Sequence, residues 1–155
     1  MRILGLDYGE KRIGLAITDR QNSIAMPLGM IENNGSTSEK ILKLIKENDI
    51  GRIVIGRPVN LKGQSGYQAV VVDSFVSNVL KTYELPISIV DERFTSKISS
   101  GLFSEIYNTR KDERNKNQNK KMSIKKLDKA RKSGAADTIS AALILGDYLK
   151  SLEII

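Results

Sequence analysis

Three carboxylates stand where chemistry could be done: Asp7, Glu92 and Asp137. Asp7 follows the apolar run Ile3-Leu4-Gly5-Leu6, and Glu92 follows Pro86-Ile87-Ser88-Ile89-Val90. Each therefore closes a strand-like segment. Asp137 opens an Ala-rich, helix-forming stretch. Taken singly, each acid has an ordinary explanation. Asp7 could bond the amides of its own turn. Glu92 and Asp91 could pair with Arg93. Asp137 could complement a helix dipole. Taken together they repel: two charges ~4 Å apart cost about 4 kcal/mol at an effective dielectric near 20. Such a cluster makes sense around a cation, and hard oxygen ligands select Mg²⁺ or Mn²⁺. That ion would support phosphodiester hydrolysis. Whether the acids meet depends on the fold, which spacing alone does not establish.

Composition narrows the chemistry. The chain has no His and no Cys. A Ser-His-Asp triad, a His- or Cys-ligated zinc site and a His general base are excluded. Hydrolysis must then use carboxylates, Lys, Tyr or a metal-activated water. With 155 residues, 40% of them hydrophobic and 28% charged, the chain suits one soluble domain with a real core. No apolar run reaches the ~18 residues of a membrane span. The first residues lead straight into a strand pattern rather than a signal peptide. A cytoplasmic protein without membrane contact is expected.

The net charge of +7 is concentrated in one place. Between Arg110 and Lys132 eleven basic residues face three acidic ones, and the rest of the chain is close to neutral. This segment, about 110–133, reads either as a polyanion-gripping arm or as a solvated loop, and its Asn and Gln content favours flexibility.

Positioning these groups requires a recognisable order of elements. Ile3 to Asp19 reads as a β-hairpin turning at Gly9, with Gly5 and Gly14 permitting close approach of another backbone or a ligand. Ser23 to Ile31 is a third strand, placed at an edge by Pro27. Ser36-Thr37-Ser38-Glu39 is a capping-box pattern before an amphipathic helix that ends near Asn48. Arg52 to Gly56 is a buried strand, followed by a Gly/Pro/Asn loop without Walker spacing. A helix through Val72, Phe75, Val76, Val79 and Leu80 precedes the strand that ends at Asp91-Glu92. A helix through Ile98, Leu102 and Ile106 follows, then the basic segment and the last helix from Gly134-Ala135 onwards. The result is an α/β fold with a mixed, five-stranded sheet.

The blocks Gly5-Leu6-Asp7-Tyr8-Gly9-Glu10-Lys11-Arg12-Ile13-Gly14, Gly56-Arg57-Pro58-Val59-Asn60 with Gly63 and Gly66, Asp91-Glu92-Arg93-Phe94-Thr95-Ser96, and Asp137-Thr138-Ile139-Ser140-Ala141-Ala142 occur in this order. They resemble the motifs of the YqgF family, relatives of the RuvC Holliday junction resolvases. The resemblance spans nearly the whole chain except the basic segment. It implies a single RNase H-like domain over 1–155 with helices on both faces of the sheet. It implies Asp7, Glu92 and Asp137 as the catalytic, metal-holding acids. It implies a nuclease for the 5′ end of pre-16S rRNA, with resolution of branched DNA as the older alternative and a non-catalytic ribosome-assembly factor as a third. Precursor rRNA or branched DNA, and ribosomal particles, are the expected partners. Lys11 and Arg12 could contact substrate phosphates or remain solvent-facing turn charges. Arg57 stands where the family usually has a small or apolar residue and Lys62 where it often has an acid; either adds positive charge near a phosphate path, or neither matters, and Asn60 is a further expected substrate contact. Thr95 and Ser96 could touch substrate or cap a helix. No heptad seam appears, so a monomer or weak homodimer is expected. An actin-like ATPase, which also opens on an Asp-Gly hairpin, needs a second copy of the domain, and no internal repeat is present.

Overall fold

The computed structural model describes residues 1–59, 66–91 and 135–153. Glu92, Asn60, Thr95, Ser96, the expected helix through Ile98 and the basic segment lie outside the described residues.

Five strands form one mixed sheet in the order β3-β2-β1-β4-β5. They are β1 Arg2–Tyr8, β2 Arg12–Thr18, β3 Ala25–Glu32, β4 Ile50–Arg57 and β5 Ile87–Asp91. β1 pairs antiparallel with β2, and β2 with β3, whereas β1–β4 and β4–β5 are parallel. β3 takes the edge, where Pro27 costs no central ladder bond. Its register slips opposite Leu15/Ala16, next to Gly29 at φ +134°.

Alternation along the strands divides the core in two. Leu4, Leu6, Ile13, Leu15 and Ile17 bury one face together with Ile53 and Ile55. Helices α1 (Thr37–Glu47) and α2 (Tyr67–Asn78) cover it through Ile41, Val72, Phe75 and Val76. Ile3, Ala16 and Val54 face the other way, against Ala141, Ile144, Leu145 and Leu149 of α3 (Ala135–Glu153). Helices thus cover both faces, as the family resemblance implies. α2 stops at Asn78, and Leu80 belongs to a short 3₁₀ turn, Leu80–Tyr83.

The face under α3 is built from small residues. A Cβ on Gly5 would lie 2.9 Å from Leu145 Cβ, and one on Gly14 would overlap the Asp137 carbonyl. The helix can therefore press its backbone onto the hairpin. The start of α1 differs from its sequence pattern. Ser36 makes no side-chain capping bond to the helix. Its N–H and hydroxyl both donate to Asn34 Oδ1 instead, at 3.0 and 2.7 Å. The buried Thr37 hydroxyl accepts from Asn34 N–H at 2.8 Å. A neighbouring Asn with a longer reach outcompetes the capping box.

Candidate active site

Period two places Asp7 on the same side of β1 as Ile3 and Gly5, so it faces α3. Asp137 lies in the first turn of that helix. Because α3 sits directly on Gly14, its first turn is carried to the end of β1. There Asp7 and Asp137, 130 positions apart in the chain, interact electrostatically. Both side chains are half-buried.

Burial pushes the Asp7 carboxyl up from its ordinary 3.8 to about 6, and the Asp137 charge pushes the same way. A hydrogen bond from the Ser140 hydroxyl pulls it partly back. Burial also raises Asp137, against the pull of the Arg12 guanidinium. Each acid therefore resists ionisation beside the other.

The two acids border an open cavity of about 290 Å³ at the carboxyl ends of β1 and β4. Asp7, Asp137, Ser140, Glu10 and Arg12 form one side. Pro58 after β4, with Gln68, Val71 and Val72 of α2, forms the other. Loops and helix starts at the carboxyl ends of parallel strands are where open α/β sheets bind ligands.

The other expected site residues divide. Arg12 lines the cavity and acts on Asp137. Lys11 is exposed in the hairpin turn and does not line the cavity. Arg57 ends β4, where its guanidinium grips Asp73 of α2 with two bonds, 2.9 and 2.7 Å long. That pairing and its charge hold Arg57 above its ordinary value. Tyr8 lines the cavity and also packs in the core, its ring centroid 4.7 Å from that of Phe75. Ser140 was not singled out by its sequence, yet its place three residues after Asp137 puts it on the same helix face. Gln68 carried no comparable signal.

Two carboxylates and a hydroxyl are hard oxygen donors of the kind Mg²⁺ and Mn²⁺ accept. Among the described residues no group of three potential ligands is gathered for an ion. The donor set fits a divalent cation as a partial shell.

A mixed sheet that begins with an antiparallel hairpin, flanked by helices and bearing acids where parallel strands end, is the RNase H-like, resolvase type of fold. Solved structures agree on the fold. A Thermus thermophilus RuvC in complex with Holliday junction substrate superposes with a TM-score of 0.53 at 12% identity, over 97% of this chain and 96% of that one. A fowlpox virus resolvase bound to Holliday junction DNA gives 0.51 at 14% identity, over 98% and 99%. The RuvX family, described as a Holliday junction resolvase, matches residues 1–120, and the chain belongs to it. A relative from Sulfurihydrogenibium sp., assigned as a pre-16S rRNA nuclease, is 40% identical over 98% of this chain and 92% of its own. One from Thermoanaerobacter pseudethanolicus with the same assignment is 33% identical over 97% of both.

Proposed function

We propose that this chain is a metal-dependent endonuclease that hydrolyses phosphodiesters in precursor 16S rRNA, at its 5′ end, in the cytoplasm. The observation that carries this reading is the meeting of Asp7 and Asp137 over Gly14, two desolvated acids at one end of an open cavity. Relatives assigned as pre-16S rRNA nucleases support the substrate.

In this reading Asp7 and Asp137 hold Mg²⁺ or Mn²⁺ together with Glu92. When bound, the ion supplies Lewis acidity and a water of lowered pKa. The chain does the rest. β1 fixes Asp7 on a rigid strand, and the first turn of α3 fixes Asp137 against it. Ser140 donates to Asp7, which keeps the carboxylate oriented and favours its ionised form. Arg12 offsets Asp137 and offers a guanidinium to a phosphate oxygen. Lys11 contributes long-range attraction from the rim.

Branched DNA is the second reading, favoured by the description of the family as a resolvase. A resolvase needs two sites related by symmetry to cut opposed strands, so it predicts a dimer on the junction.

The test compares wild type with Asp7→Asn and Asp137→Asn on precursor 16S rRNA and on four-way DNA junctions. Mn²⁺ binding is followed by calorimetry in parallel. Cleavage of the RNA, and Mn²⁺ binding, both lost in each variant, support the proposal. Cleavage of the junction alone moves the assignment to the second reading. Cleavage of neither substrate, with RNA binding retained, overturns both in favour of a non-catalytic assembly factor.

A further inference from the structure

The cavity has two unlike sides, and only one has been given work. The side bearing the acids also carries Arg12. Among the described residues the α2 side carries no charge: it presents Gln68, Val71 and Val72, beside Pro58. Asp73, the single charged residue of α2, is gripped by Arg57. Among the described residues this wall offers a phosphate backbone no cation. A flat, weakly polar group suits it better.

The wall continues outward by one residue. Tyr67 opens α2 four positions before Val71, so the two share an edge of the helix surface. Tyr67 is 76% exposed. Its chain neighbour Gln68 and its helix neighbour Val71 both line the cavity, so the exposed Tyr67 ring forms an apolar shelf at the edge of that wall. Exposed aromatics beside a phosphate-handling groove are the usual stacking platforms for unpaired bases, since every base offers a π-face.

We infer that Tyr67 is a stacking platform for an unpaired nucleobase next to the phosphate held at Asp7 and Asp137, so that the substrate is single-stranded at the point of cleavage. This deepens the nuclease reading and rests on it for the placing of the phosphate. The division of labour follows from the chemistry of the two sides. The acids and Arg12 take the backbone, while Tyr67, with Val71 beside it, takes the base face. Gln68 lies within the cavity wall with both donor and acceptor groups for a base edge or a ribose hydroxyl. A base paired within a duplex is already stacked on both sides and gains nothing from the shelf.

The experiment measures binding, so that it does not depend on cleavage. The full chain carrying Asp7→Asn serves as parent, and Tyr67→Ala, Tyr67→Phe and Tyr67→Trp are added to it. The probes are a short single-stranded RNA and a blunt RNA duplex of the same sequence. Tyr67→Ala should weaken single-strand binding roughly 5- to 100-fold, the loss typical for one stacked base. Phe and Trp should preserve it, and duplex binding should not change. The side chain is exposed, so the melting temperature of Tyr67→Ala should match its parent. Unchanged single-strand affinity in Tyr67→Ala would overturn the inference, and so would an equal loss on both probes. Failure of the nuclease reading shows elsewhere, as wild type that cleaves no RNA while the Tyr67 effect on binding persists.

Discussion

The backbone of Asp137 rests on Gly14 of the hairpin, with no room between them for a methyl group. This contact turns a sequence-remote acid into the neighbour of Asp7. Gly14→Ala must push the first turn of α3 away from β2. The cost of such overpacking is typically 1–3 kcal/mol, and we expect roughly that loss of stability. The loss of rate should be larger, on the order of 100-fold per folded molecule, because small misplacements of catalytic groups cost about that much. Gly5→Ala is the control. Its Cβ would press on Leu145, two turns further along the same helix, and should lower stability without a comparable loss of rate. Denaturant unfolding and nuclease assays on both variants check this pair.

The raised Asp7 carboxyl makes stability depend on pH in an unusual direction. Its folded value of about 6 lies above its ordinary 3.8. Between these values the folded chain binds more protons than the unfolded one, so this group adds stability as pH falls through that window. Above pH 6 the cost is fully present, about 3 kcal/mol from roughly two pKa units. Asp7→Asn should therefore stabilise the metal-free protein near neutral pH by roughly 1–3 kcal/mol, with the advantage fading toward about pH 4. Adding Mn²⁺ should stabilise wild type more than the variant, because only a bound state withdraws protein from the unfolded pool. Melting curves across pH, with EDTA or with Mn²⁺, give the answer.

Several of these relationships are legible in the residues themselves. Gly5 and Gly14 are costly inside strands, and close backbone approach is the reason they are there. Pro27 names its strand as an edge, and Asp137 names its helix start. The five-stranded mixed sheet follows from the order of elements. The start of α1 was less legible, because Asn33, Asn34, Ser36 and Thr37 offer competing oxygens within five residues and local pattern cannot rank them. Arg57 with Asp73, and Tyr67 beside the cavity, needed the three-dimensional arrangement. Neither involves a spacing that local periodicity can register.

Arg57 and Asp73 are partly exposed, and their pairing ties the end of β4 to α2. The Nε and Nη2 edge of the guanidinium is engaged there. Arg57→Met and Asp73→Asn should therefore change activity in parallel, through the position of Pro58 and the α2 wall. If Arg57 instead held a substrate phosphate, Arg57→Met would raise KM while Asp73→Asn would not. The stability effect of either change should be small and should diminish with salt, as for other solvent-accessible pairs. A double-mutant cycle on KM and kcat separates the two roles.

The segment from Arg110 to Lys132 holds all of the chain's excess positive charge. Its proposed task is to grip the nucleic acid backbone while the acid pair engages one phosphate. Such a grip leaves a thermodynamic signature in counterion release. Replacing five of its Lys and Arg residues with Gln, if about three phosphate contacts are lost, should reduce the slope of log affinity against log salt by roughly 2 for single strands. The Tyr67→Ala change should leave that slope alone, since a stacked base releases no counterions. An unchanged slope in the Gln variant would mean that the basic residues serve solubility rather than binding, and that the backbone contacts come from Lys11, Arg12 and their neighbours.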